Sequence, residues 1–121
     1  MEENINFEKG KVDLLSELLV IKEESQVMLQ GFAKGNQIIQ LQNSTTLTCY
    51  KNHLTSRVLF SFGIPTYPEF SEGIDQKFTL IFESLPEDCS SFYYQSVPTS
   101  GTWRCYEFDR NMEDAYIFEI E

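Results

Sequence analysis

His53 is the single histidine of the chain, so a Ser-His-Asp or Cys-His catalytic pair would have to use it. No nucleophile motif accompanies it. Cys49 lies four residues earlier, in a strand-and-turn region where that spacing does not bring two side chains together, so the pair reads as a loop histidine and a small core thiol. Asp109, Asn111 and Glu113 have the spacing that opens a calcium loop, but Asp114 stands where the loop needs glycine and Ile120 where it needs glutamate. That stretch is an acidic turn. Gly31 and Gly35 flank a lysine without the GK[ST] of a phosphate-binding loop. Cys49, Cys89 and Cys105 are odd in number and lack CxxC spacing, so neither a zinc site nor a structural disulfide is expected. No catalytic residue, metal ligand or cofactor-binding residue is assigned.

The residue types that remain are those of contact. Ile64-Pro65-Thr66-Tyr67-Pro68-Glu69-Phe70 combines two prolines, which lower the entropy lost on binding, with Tyr67 and Phe70 as apolar anchors. Gln95 to Gly101 is a turn-rich tip leading to Trp103, the third candidate contact residue. Trp103, Tyr93, Tyr94, Tyr106 and Tyr116 fit a recognition surface, although their alternating positions favour the core for most of them.

These residues hang on segments that alternate with a period of two. Phe78, Leu80 and Phe82 alternate with Thr79, Ile81 and Glu83, which predicts a strand with the first three on the core and Thr79 on the milder face. Pro86 and the acidic residues after it turn the chain, and Phe92 and Tyr94 resume the alternation. Upstream, Gln26 to Ala33 alternates until Lys34-Gly35-Asn36, which predicts a hairpin with Ile38 to Leu41 as its return strand. Thr45 to Tyr50 and Arg57 to Phe62 follow as strands, the latter with Val58, Phe60 and Phe62 together. Trp103 to Phe108 and Tyr116 to Ile120 complete the set. Residues 1–11 read as a mobile lead-in, and residues 12–121 as one β-domain. In residues 12–19 helical spacing of Leu14, Leu15, Leu18 and Leu19 competes with a strand that would run to Ile21.

The chain has 121 residues, 41% hydrophobic, enough for one domain with its own core. Its net charge of −10 repels a phosphate backbone, which argues against direct nucleic-acid binding. No segment approaches the roughly 20 apolar residues of a membrane span, and no basic, then apolar leader opens the chain. A cytoplasmic location is expected; a secreted protein with its signal peptide removed would read the same.

Turn signals every 8 to 12 residues or so predict an all-β, antiparallel two-sheet sandwich of about seven or eight strands. Gly63-Ile64, the run Phe78-Thr79-Leu80 through Phe82 to Leu85-Pro86, the acidic turn after it and Ser91-Phe92 resemble small immunoglobulin-like β-sandwich modules common in Bacteroidetes proteins. Trp103 and Tyr106 sit where such modules carry an aromatic strand. The resemblance implies an immunoglobulin-like sandwich and brings no catalytic residues. The expected role is a non-catalytic protein-binding or accessory module acting through surface loops, with a protein partner, a basic one included, or self-association. The alternative is an acidic inhibitor or immunity-type protein that occupies a basic site on a nucleic-acid-handling partner; an acidic stripe spaced like phosphates would mark it.

Overall fold

The computed structural model describes residues 25–96 and 104–120. The lead-in, the ambiguous segment at 12–21, most of the 95–101 tip and Trp103 lie outside them. Seven strands are described: β1 (Val27–Ile39), β2 (Thr46–Cys49), β3 (Thr55–Phe62), β4 (Ser71–Phe82), β5 (Ser91–Ser96), β6 (Arg104–Asp109) and β7 (Ala115–Ile120). They form one sheet in the order β6-β5-β2-β3-β4-β1-β7. β3 holds it together by dividing its length: Thr55 to Arg57 pair with β2, and Val58 to Phe62 with β4.

The sheet is nearly closed. Its end strands β6 and β7 are furthest apart in pairing order, yet the Tyr106 and Phe118 rings lie 5.0 Å apart and those of Phe108 and Tyr116 5.5 Å. Such ring pairs add about 0.5–1.5 kcal/mol each beyond their burial. Between them lies a core of Val27, Leu29, Leu47, Phe78, Leu80, Phe82 and Phe92, all 2% exposed or less. Gly31 sits opposite Phe78 in the β1–β4 ladder, and a β-carbon there would run into the Phe78 ring, so the glycine is the space that ring occupies.

Several expectations are corrected. The pairing is mixed, because β7 runs parallel to β1, from Met28 opposite Ala115 to Ala33 opposite Ile120. Most of the chain separates these two strands, so no tight turn sets their direction. The hairpin expected at Lys34-Gly35-Asn36 is instead a register shift inside a continuous β1, with β4 alongside both halves. Gly35 has a φ of 77°, and its N–H donates to the Asp75 carboxylate at 2.7 Å. A glycine at positive φ serves a bulge as well as a turn. On β3, an irregularity after Val58 sends Val58 to the core while Phe60 and Phe62 are exposed, so the three do not share a face.

The Cys49 and Cys89 sulfurs form a disulfide, with Cα atoms 5.9 Å apart, where none was expected. Cys105 is the leftover thiol and is exposed. An odd count excludes complete pairing but leaves room for one bridge.

Phe78, Leu80 and Phe82 do face the core. Thr79 is not on a mild face: it is 3% exposed and donates a 2.6 Å hydrogen bond to Gln30 Oε1, while Gln30 Nε2 donates to the Phe78 carbonyl at 2.8 Å. Leu80→Ala is expected to cost about 2–5 kcal/mol through lost burial and cavity formation. Thr79→Ala is expected to cost about 1–3 kcal/mol by leaving Gln30 Oε1 short of a donor. Urea titrations check both, and a neutral Thr79→Ala would show that this buried pair contributes nothing.

Candidate functional site

Beyond the bulge, β1 and β4 continue as a two-stranded arm in which Asn36, Ile38 and Ile39 pair with Ile74, Glu72 and Ser71. Ile39 turns into the core at 3% exposure, so Ile38 takes the opposite side, together with Glu72 across from it. Ile74, two residues beyond Glu72, lies diagonally from Ile38 on that side, and the same alternation carries Phe70 there from the other direction. Ile38, Phe70 and Ile74 are 59%, 61% and 73% exposed. Three large apolar side chains in one row, uncovered among the described residues, form a patch rather than scattered singles.

The proline loop adds Tyr67, also exposed. Its backbone is pinned to the segment after β1: Leu41 N–H donates to the Pro65 carbonyl at 2.8 Å, and Tyr67 N–H returns a bond to the Leu41 carbonyl at 2.9 Å. Gln40 Nε2 donates to the carbonyls of Pro68, at 3.2 Å, and Glu69, at 2.9 Å. The Tyr67–Pro68 peptide is cis. A loop held at both its start and its middle presents Tyr67 and Phe70 with little ordering left to do on binding. Exposed Glu72 lies within this row, between Phe70 and Ile74, and exposed Glu69 and Asp75 flank it along the chain with further negative charge.

The groups first considered for reaction chemistry are placed elsewhere. Cys49 is held in the disulfide, and His53 occupies the turn after β2 at a φ of 60°, where its backbone N–H donates to the Cys49 carbonyl. The Asn111 side chain of the acidic turn bonds both the Ala115 carbonyl and N–H, and Asp114 is taken by Arg110 and Tyr116. Among the described residues, no three His, Cys, Asp or Glu side chains are grouped to hold a metal ion.

The shifted titrations belong to structural contacts. Tyr50 is pushed up to about 12, first by its 2.6 Å hydrogen bond to Glu107. Tyr116 is also pushed up to about 12, first by burial. The hydrogen bond from Arg57 holds the Glu83 carboxyl below the usual carboxylate range.

Of the residues singled out in the sequence, Tyr67 and Phe70 are both exposed, Tyr94 and Tyr116 are core, and Trp103 lies outside the described residues. Ile38 and Ile74 were missed. Ile38 falls in the expected return strand, and alternation back from Phe78 puts Ile74 on the core side, so the sequence carries no signal that sets the two on one exposed side. Comparisons with protein-family models, with curated proteins and with solved structures find no match to this chain.

Proposed function

We propose that this protein is a non-catalytic binding module whose contact surface is the patch of Ile38, Tyr67, Phe70 and Ile74, and that its partner is a protein with an apolar contact surface and a basic rim. The observation that carries this is the single row of exposed Ile38, Phe70 and Ile74, beside a loop pinned by backbone hydrogen bonds. The net charge of −10 and the carboxylates of Glu69, Glu72 and Asp75 supply the complement for a basic partner. The patch itself is apolar, which favours this reading over a mimic of nucleic-acid phosphates.

We take the curled sheet as an immunoglobulin-like sandwich whose two layers are joined through β3. The β2–β5–β6 layer would face the β4–β1–β7 layer, with the disulfide inside. The disulfide supports an oxidising compartment, and hence the secreted alternative over the cytoplasmic one.

Ile38→Ala, Tyr67→Ala and Phe70→Ala are expected to weaken binding of a partner captured from native extract by about 1–3 kcal/mol each. Leu54→Ala, an exposed residue outside the patch, should leave it unchanged. Binding should also weaken with added salt. Parent-like dissociation constants for the three folded patch variants would mean that the contact surface lies elsewhere.

A further inference from the structure

The outward face of the sheet, away from the core, is apolar across four strands. Register places Phe60, Ile81, Met28 and Ala115 in one row and Phe62, Thr79, Gln30 and Ile117 in the next, with Lys77, Phe32 and Glu119 beyond. Met28, Gln30, Thr79 and Ile81 are 0%, 1%, 3% and 1% exposed, as low as the core. Yet Met28, Phe32 and Ile81 are the buried apolar residues that the core cluster does not include. The ring contacts of Phe92, Tyr94, Tyr106 and Phe108 with Tyr116 and Phe118 put β5 and β6 against the core face of the sheet, so neither of these strands is the cover on its outward face.

We propose that this face is the seat of the chain's own apolar run Val12 to Ile21. The run ends seven residues before Met28, at the point where the chain enters β1 in the middle of the face. A linker of that length extends up to roughly 23 Å. Four strands span roughly 14 Å, so the run can return over all of them. Its chemistry matches: Val12, Leu14, Leu15, Leu18, Leu19, Val20 and Ile21 are apolar, interrupted by Asp13, Ser16 and Glu17. Opposite them, the sheet offers two apolar rows whose one buried polar pair, Gln30 and Thr79, is already internally bonded. This inference is independent of the Ile38–Ile74 patch.

Methyl-labelled methionine in the full chain gives the test, because Met28 reports on the centre of this face and Met112, 99% exposed, serves as a solvent reference. With Leu15→Asp and Leu18→Asp together, a soluble paramagnetic agent should broaden the Met28 methyl several-fold more than in the parent, with Met112 unchanged. A nitroxide attached at Ser16→Cys, with Cys105→Ser to remove the exposed thiol, should broaden Met28 more than Met112 in the folded protein even where the aspartate variant fails to fold. A Met28 methyl untouched by the nitroxide would overturn the proposal. So would a Met28 signal that changes with protein concentration, which would assign the face to a second copy.

Discussion

Replacing Cys49 and Cys89 by alanine together is expected to lower the unfolding free energy by about 4 kcal/mol. The bridge closes a loop over a sequence separation of 40 residues, and the entropy withheld from an unfolded chain by a loop of that length corresponds to about 4 kcal/mol. Its location favours a full effect. Cys49 ends β2 and Cys89 sits in the turn before β5, and these strands are already paired, with Cys49 opposite Phe92. Both sulfurs lie in the core, at 0% and 1% exposure. Bridging them joins elements that the fold brings together independently. Urea unfolding with and without reductant should show a lower midpoint once the bridge is reduced. Thiol titration of the unfolded, unreduced protein should find one reactive group, Cys105. Three reactive thiols and a midpoint indifferent to reductant would show that the bridge is not formed.

Legibility of the fold in the sequence follows how local the determining physics is. Alternation is local, so the strands around Phe60, Phe78 to Phe82, Phe92, Tyr106 and Tyr116 could be read, as could the inward face of Phe78, Leu80 and Phe82. Gly35 shows where locality fails, since the same positive-φ residue serves a turn or a bulge, and only the course of β4 decides between them. Thr79 and Ile81 show a second failure. A polar or alternating residue signals a solvent face only if nothing covers that face, and cover is set by parts of the chain remote in sequence. The parallel β1–β7 pairing and the Cys49–Cys89 bridge are likewise products of topology. In the candidate site, Tyr67 and Phe70 were legible because prolines and aromatics in a loop carry their own signal. Ile38 and Ile74 acquire meaning only once the continuous β1 sets them on one side of the arm.

The other large effect is expected at Arg110, where two connections meet. Its guanidinium donates to both Asp114 carboxylate oxygens, at 2.7 and 3.0 Å, and to the carbonyls of Pro86 and Cys89, each at 2.9 Å. The β6–β7 turn is thereby tied to the β4–β5 turn and to the backbone at the disulfide. Asp114 is itself held at a φ of 51° and accepts from the Tyr116 hydroxyl at 3.0 Å, while that hydroxyl accepts from Asn111 N–H at the same distance. The two charged side chains are only 18% and 13% exposed, so this is not the screened surface pair that contributes little, as the more exposed Lys51–Asp88 pair is. Removing Arg110 leaves a largely desolvated carboxylate without its counter-charge and takes the guanidinium donor from the Cys89 carbonyl, while the Pro86 carbonyl keeps the Cys89 N–H at 3.0 Å. Arg110→Met, which keeps bulk but not charge, is therefore expected to cost about 3–5 kcal/mol. Arg110→Lys should recover only part of that, since a single ammonium cannot reproduce the planar fork. Asp114→Asn in the Arg110→Met background should cost less than Asp114→Asn alone, giving a coupling energy of about 1–3 kcal/mol in a double-mutant cycle. A loss below about 1 kcal/mol for Arg110→Met, with additive substitutions, would show that the two turns are held by their strands and not by this cluster.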